Sequence, residues 1–349
     1  MDKTPLLGMS LVELQDITDE LAMPKFTAKQ IMQWIYQKNV VEIDEMTNIS
    51  KSHRQLLSEK YCIGRSMPIE IQTSQDGTEK YLFRTSDGCF IETVYIPDHE
   101  RATLCVSSQV GCKMNCEFCQ TGKQGFNGNL SVADILNQIY TVNTIAVEKN
   151  NAALTNIVYM GQGEPLDNYN NVKKSIDILT ANYGWAWSPK RITLSTVGLK
   201  KSLKNFLQET ECHLAISLHF PLHEQRLQYM PAERQFPIKD IISLLNQYDW
   251  SHQRRLSFEY TMFDGVNDST LFAKELIKLL GNIPCRVNLI PFHQIEGTDL
   301  KPSSMTRITT FRDYLTKRGI YTTVRTSRGQ DIQAACGLLS TKKQLENHE

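Results

Sequence analysis

The sequence predicts an α/β protein: an incomplete TIM-like barrel of six βα units, (βα)6, preceded by a small N-terminal helical accessory domain and an antiparallel β extension. Three observations predict it. From residue 100 onward, six apolar runs of strand length alternate with helical segments, the rhythm of a parallel sheet buried by helices. A seventh apolar run, "IYTTVRTS", follows the sixth unit. Polar or glycine-rich residues follow the strands, on the side where such folds place ligands. A chain of 349 residues can bury this core as one large domain with accessories, or as two domains.

The elements follow in order. Residues 1–64 read as helical: "TAKQIMQWIYQKN" sets Ile31, Trp34 and Ile35 on one face, and Ser50 can cap a helix through "KSHRQLLSEKY". Acids outnumber bases there, so this RNA-binding candidate has no charge signature for RNA. Residues 65–97 alternate around Asp76-Gly77 and Asp87-Gly88, which predicts a meander with type I′ turns, both central residues at positive φ. In "FIETVYI", Glu92 shares a face with Phe90, Val94 and Ile96. A carboxylate there sits at a wet edge or has a raised pKa in apolar surroundings. Residues 98–330 hold the barrel strands "ATLCVS", "LTNIVYMG", "RITLSTVG", "HLAISLHF", "RLSFEYTMF" and "RVNLIPF". Helices are expected at 131–147, 169–182, 200–208, 237–248 and 268–280, with Ser131 and Asp268 as cap signals. Residues 331–349 form a C-terminal segment carrying Cys336.

The acidic start lacks the apolar core of a signal peptide. No window approaches the roughly 18 apolar residues of a membrane span. A cytoplasmic protein with no membrane partner is expected, and there cysteines serve metal or redox chemistry more often than structural disulfides. Net charge is zero. Residues 306–329 carry Arg307, Arg312, Lys317, Arg318, Arg325 and Arg328 against only Asp313, either a phosphate-contacting patch or a solvated helix face.

Four of the nine cysteines fall in "RATLCVSSQVGCKMNCEFCQTG". Cys112, Cys116 and Cys119 are spaced C-x3-C-x2-C, with Cys105 upstream. Structural zinc draws on four ligands, usually in two pairs, and iron–sulfur clusters usually on four thiolates. The triplet has no well-spaced local fourth ligand, Cys105 and His99 included, which suggests a cluster with one iron left open. By itself Cys105 in an apolar strand reads as a small core residue. Cys336 in "DIQAACG" is ambiguous, and Cys62, Cys89, Cys212 and Cys285 read as core.

C-x3-C-x2-C at the end of the first barrel strand resembles the radical S-adenosylmethionine (SAM) superfamily. "IETVYIP", "CVSSQVGC", "CQTGKQGF", "MGQGEPLDN", "STVG", "SLH", "VNLIPF" and "DIQAACG" narrow the resemblance to RlmN/Cfr-type RNA methyltransferases, nearer the RlmN branch, over nearly the whole chain. The resemblance implies a radical-SAM barrel with one [4Fe–4S] cluster on Cys112, Cys116 and Cys119, whose open iron chelates SAM. It implies SAM contacts from Gly163, Glu164, Ser195, Ser217, Leu218 and His219, and from His293 where the family usually has asparagine. The implied reaction methylates C2 of adenosine 2503 in 23S rRNA and of adenosine 37 in tRNA, with two SAM consumed. Cys336 would carry the methyl as S-methylcysteine, Cys105 would resolve the RNA adduct through a transient disulfide with Cys336, and Glu92 would accept a proton. An electron donor such as flavodoxin or a reductant is implied, and a monomer is expected. The alternatives are Cfr-like methylation at C8, a radical-SAM enzyme of small molecules, and a non-catalytic metal-containing RNA-binding protein.

Overall fold

A computed structural model describes residues 3–252, 254–281 and 283–341, so the outer ends of the first and last predicted segments, 1–2 and 342–349, lie outside it. Strand β1 (Thr4–Pro5) precedes helices α1 (Leu11–Glu20), α2 (Thr27–Tyr36) and α3 (Lys51–Lys60), and pairs in parallel with β2 (Tyr61–Cys62). Ser50 caps α3 by accepting the His53 N–H at 3.3 Å. Ile31 and Ile35 are buried on the inner face of α2 with Met32, whereas Trp34 is only half-buried. That face belongs to the same apolar core as the barrel.

Strands β3 (Glu70–Thr73), β4 (Glu79–Arg84) and β5 (Phe90–Asp98) form the antiparallel meander. Its turns are not type I′. Only the glycines have positive φ, 81° at both Gly77 and Gly88. Ser74 N–H bonds Thr78 O at 2.8 Å and Thr85 N–H bonds Cys89 O at 2.7 Å. Each loop therefore holds three residues, with glycine in the left-handed position that the longer turn requires. Glu92 is not at an edge. It sits in β5 between β4 and β6 (Arg101–Cys105), and its side chain is buried.

After β6 the chain makes a small hairpin, β7 (Gln109–Gly111) with β8 (Phe126–Asn129), around the short helix α4 (Gln120–Gln124). The barrel continues with α5 (Val132–Asn150), β9 (Asn156–Tyr159), α6 (Tyr169–Thr180), β10 (Ile192–Thr196), α7 (Lys200–Glu209) and β11 (His213–Ser217). It closes its run with α8 (His223–Tyr229), α9 (Ile238–Leu245), β12 (Leu256–Met262), α10 (Thr270–Leu280), β13 (Arg286–Pro291), α11 (Met305–Thr316) and β14 (Tyr321–Val324). The hairpin, α4, α8 and α11 are additions to the expected elements. Ser131 makes the full capping box with Asp134. Asp268 does not cap α10: Ser269 holds that position, and Asp268 turns inward to accept from Ser303 Oγ at 2.8 Å and Arg307 Nη1 at 3.1 Å.

One ten-stranded sheet runs β14-β13-β12-β11-β10-β9-β6-β5-β4-β3, parallel from β6 to β14 and antiparallel beyond. It confirms the predicted partial barrel of six βα crossovers ending on a seventh strand. The barrel remains open because β14 and β6 do not pair. Residues 325–341 span that gap. Arg328 reaches Asp98 at 3.2 Å, Gly329 N–H donates to Asp76 at 3.0 Å, and Gln120 N–H donates to Gly337 O at 2.8 Å. Among the described residues no helix is long and apolar enough to cross a membrane.

Candidate active site

A cavity of about 1370 Å³ occupies the barrel interior. A closed TIM barrel fills that space with branched apolar side chains. Here alternate positions of the strands are polar. Ser195 and Ser217 lie with their hydroxyls 3.5 Å apart. Glu259 accepts from Ser257 at 3.0 Å and Asn288 at 2.8 Å, and Thr323 donates to Asn288 at 2.7 Å. This polar interior is the signal of a site. It was legible in "LSFEYTM", where Ser257, Glu259 and Thr261 alternate with apolar neighbours in a strand that helices bury.

The three cysteines of the triplet lie on the loop inside the β7–β8 hairpin. Cys112 N–H donates to Gly125 O at 2.8 Å. Gly111 has φ 73°, and a Cβ there would meet Gly125 O at 1.8 Å, so the loop closes only on glycine. Cys119 stands at the N-terminus of α4, where the N–H groups of Thr121 and Gly122 favour its charged form. Burial pushes Cys112 up to about 12 and raises Cys116 and Cys119 as well, and the three thiols feel one another. Among the described residues no three His, Cys, Asp or Glu side chains are grouped tightly enough to hold a single metal ion. Phe118, Phe220, Met230, Phe263 and Phe292 make a dry shell around them. Three soft donors, Cys116 buried and Cys112 and Cys119 half-buried, mutually coupled but spread wider than one ion requires, fit an iron–sulfur cluster.

Residues 161–164 pack against the strap that leads into this loop. Gln162 N–H donates to Ser107 Oγ at 2.8 Å, and Ser108 N–H donates to Gln162 O at 2.8 Å. Gly163 has φ 99°, and a Cβ would meet Gln109 Cβ at 2.5 Å. Glu164 is buried; its oxygens accept the N–H groups of Leu166 at 3.0 Å and Val197 at 2.9 Å. Burial still lifts it to about 7. The Thr196 side chain also hydrogen-bonds this carboxylate.

His219 has φ 53° and its Nδ1 accepts Thr261 N–H at 3.1 Å, which leaves the proton on Nε2. Burial lowers it to about 3, so the imidazole is neutral, edge-on to Phe118 at 4.8 Å. Leu218 is in the core: its N–H donates to Glu259 O and its carbonyl accepts Arg226 Nε at 3.1 Å. His293 lines the cavity, 2.8 Å from Ser327 Oγ.

The chain brings Cys105 and Cys336 together across the barrel gap. Cys336 is exposed to the cavity, on the segment whose Ala334 and Leu339 pack with Val94 and Cys105. Burial, then the neighbouring Cys336, pushes Cys105 up to about 12, while Arg325 acts the other way. Arg325 sits 3.5 Å from Glu259, hydrogen-bonds Cys336 and feels Cys105. Glu92, two residues before Val94 and so on the same face of β5, is buried beside this pair, with Lys80 Nζ at 2.9 Å and Ser340 N–H at 2.9 Å. Burial raises its pKa against both partners. All nine cysteines are free in this structure. Of those read as core, Cys212 is buried, Cys62 and Cys89 are half-buried, and Cys285 lines the cavity.

The basic stretch 306–329 is mostly spent internally. Arg307 pairs with Asp264 at 2.8 Å, Arg312 with Asp313 at 2.8 Å, Arg325 with Glu259 and Arg328 with Asp98. Lys80, Gln109, Gln162 and Glu259 were not singled out by sequence, and neither was the place of Arg325 between the two thiols.

At the other end of the cavity His213 Nδ1 accepts Arg255 N–H at 3.0 Å. Burial first, then Arg255, Arg254, Arg286 and Lys190, lower His213 from 6.5 to about 4. A depressed imidazole gives stability that is present above its unfolded pKa and lost as pH falls toward the folded one. The melting temperature should therefore drop as pH goes from 6.5 to about 4. His213→Gln should show a flatter slope in that window; an identical slope would show that other groups govern it.

A partial parallel barrel with three clustered thiols on the loop after its first strand defines a radical SAM enzyme, and residues 106–276 match the Radical SAM superfamily profile. Residues 4–63 match the ribosomal RNA large subunit methyltransferase N-terminal domain. A probable dual-specificity RNA methyltransferase RlmN of Bacteroides fragilis is 59% identical over 100% of both chains. The dual-specificity RNA methyltransferase RlmN of Marinobacter nauticus is 41% identical over 97% of this chain and 93% of its own. The crystal structure of a radical SAM methyltransferase from Sphaerobacter thermophilus superposes with TM-score 0.91 at 39% identity, over 96% of this chain and 99% of that one. The chain belongs to the RlmN family of radical SAM RNA methyltransferases, enzymes that use SAM and an iron–sulfur cluster.

Proposed function

We propose that this enzyme methylates C2 of adenosine 2503 in 23S rRNA and of adenosine 37 in tRNA, in the cytoplasm, through S-methylated Cys336. The observation that carries the proposal is the meeting of Cys105, Cys336 and Arg325 at the barrel gap, beside Glu92 and the three-thiol loop. The divisions at 64, 97 and 330, with 1–64 as an RNA-binding accessory, belong to the same proposal.

Cys112, Cys116 and Cys119 would hold one [4Fe–4S] cluster, and residues of the Gly163–Glu164 turn, Ser195, Ser217, Leu218, His219 and His293 would orient SAM. Bound there, the pair supplies a carbon-centred radical that takes one hydrogen atom. The chain's own residues do the rest. The Cys336 sulfur first takes a methyl group from one SAM; after loss of a hydrogen atom its methylene carbon bonds to adenine C2, and the adduct would give up its unpaired electron to the iron–sulfur centre and its C2 proton to Glu92, restoring the aromatic ring. Cys105 then attacks the Cys336 sulfur: an S–S bond forms, the S–C bond breaks, and its electron pair goes to carbon, which is protonated to methyl. Arg325 offsets the burial that opposes the Cys105 thiolate. Glu92, with Lys80 and Ser340 fixing its two oxygens, accepts the proton lost from C2. A reductant such as flavodoxin or a chemical donor resets the disulfide.

The test is Cys105→Ala, reacted anaerobically with SAM, a reductant and an anticodon stem-loop RNA. A covalent protein–RNA species that survives denaturation should accumulate, joined through Cys336 to adenine C2. Free methylated RNA at wild-type rate would reject the exchange step, and a link to C8 would move the reading to the Cfr-like reaction.

A further inference from the structure

The strands from β6 to β14 are parallel, so their first residues lie on one rim of the barrel, opposite the three-thiol loop. That rim is cationic. Arg101 opens β6, Lys190 lies two residues before β10 in the turn that leads into it, His213 opens β11, Arg255 precedes β12 and Arg286 opens β13. Tyr321 opens β14 and is 56% exposed. Six of the residues lining the cavity are arginine and one is lysine, against one acid, Asp98, which Arg328 already pairs. This is a local excess in a chain of net charge zero.

Two facts separate this rim from an ordinary solvated surface. Arg101, Lys190, Arg255 and Arg286 are exposed and make no ion pair with any described residue. They also surround the opening of the cavity whose far wall carries Cys336 and Arg325. In barrels of this type the N-terminal rim ordinarily serves stability rather than ligands. Like charges gathered without described acidic partners around one opening repel one another, which is an arrangement suited to an anionic ligand.

We propose that this N-terminal rim is the RNA-docking mouth: Arg101, Lys190, Arg255 and Arg286 hold backbone phosphates of the RNA around the opening, and the strand that carries the target adenosine enters the cavity toward Cys336. The inference rests on the RNA-methyltransferase reading and adds the face and residues that recognise the RNA. Phosphates suit these side chains because Arg and Lys displace counterions from the backbone. His213 contributes a neutral Nε2–H donor, since its Nδ1 already accepts from Arg255. The Arg286 guanidinium lies 4.9 Å from the Tyr321 ring, a stacked platform of the kind on which unpaired bases rest. An acidic electron-donor protein is the other partner that such charge attracts. Electrons, however, must reach the three-thiol loop. The length of the seven-residue strand β12, about 20 Å at roughly 3.3 Å per residue, separates the two rims.

Arg255→Glu combined with Arg286→Glu tests the mouth, because both side chains are exposed and such changes cost little stability. Lys274→Glu, exposed on α10, is the control. Anaerobically reconstituted proteins are titrated with an anticodon stem-loop RNA over a range of salt. Expected for the double variant is an affinity loss of about tenfold or more near 0.15 M salt, with the log–log salt slope reduced by about one to two. KM for RNA should rise while kcat at saturating RNA, iron content and RNA-independent SAM cleavage stay at wild-type values. Unchanged affinity and slope would overturn the proposal. So would unchanged RNA affinity with turnover slowed only when flavodoxin, and not dithionite, supplies electrons, which would make the rim a donor-docking face. A wild-type protein that neither binds nor methylates RNA would instead overturn the underlying reading, and that arm separates the two failures.

Discussion

With serine in place of Cys336, RNA methylation is expected to fall by about 10³-fold or more, while iron content and reductive SAM cleavage persist. The physical reason is that a hydroxyl is a far weaker nucleophile toward SAM, and an ether oxygen, unlike a thioether sulfur, is not attacked by the Cys105 thiolate in the later exchange, so both steps assigned to Cys336 fail together. The substitution is structurally mild. Cys336 is exposed to the cavity, and the surrounding segment is held by backbone contacts of Gly337, Leu339 and Ser340 that the side chain does not make. Mass spectrometry of the peptide carrying residue 336 gives the second readout. The wild-type peptide should gain one methyl group after incubation with SAM, and the serine peptide none. Retained turnover in the serine variant would remove the methyl carrier.

Arg226→Ala is expected to lower stability by roughly 3–5 kcal/mol, because it breaks a buried ion pair and leaves the Glu233 carboxylate only the exposed His223 and the Ile238 N–H as partners. Arg226 and Glu233 are both fully buried and bonded to each other. Arg226 also donates to the carbonyls of Val197 at 3.3 Å, Ser217 at 3.0 Å and Leu218 at 3.1 Å. One guanidinium thus ties together the turns after β10 and β11, where Ser195, Ser217 and His219 stand. A fall in melting temperature on the order of 10 °C should accompany the change, with weaker SAM binding in the fraction that remains folded. Arg226→Lys should restore only part of the loss, since an ammonium cannot reach three carbonyls and a carboxylate in one plane. A melting temperature within 2 or so degrees of wild type, for a shift below about 1 kcal/mol, would contradict the account.

Much of the barrel was legible because its signals are local and periodic. Each predicted strand from "ATLCVS" to "IYTTVRTS" became a strand of the sheet, and the Ser131 and Ser50 caps formed where spacing put them. The misses have physical causes. Asp268 looked like a cap, but a side chain one residue further on took the position while Arg307 and Ser303 drew the carboxylate inward. The Asp-Gly pairs signalled hairpins correctly and the turn type wrongly, because loop length is set by how the flanking strands register. Glu92 could not be assigned to an edge or an interior from its own strand, since only the position of β4 and β6 decides which it is.

Read by itself, the chain determined the repeating βα order, the three-thiol loop and the family to which these belong, because spacing and alternation are properties of neighbours in sequence. Only the tertiary structure decided that the barrel stays open, that residues 325–341 cross the opening, and that Cys105, Cys336, Arg325 and Glu92 meet there. It also decided that arginines of one basic stretch are paired internally while cations scattered between residues 101 and 286 gather on one rim. Contacts between residues far apart in the chain depend on how strands close and twist around a shared core, and no local pattern encodes that closure.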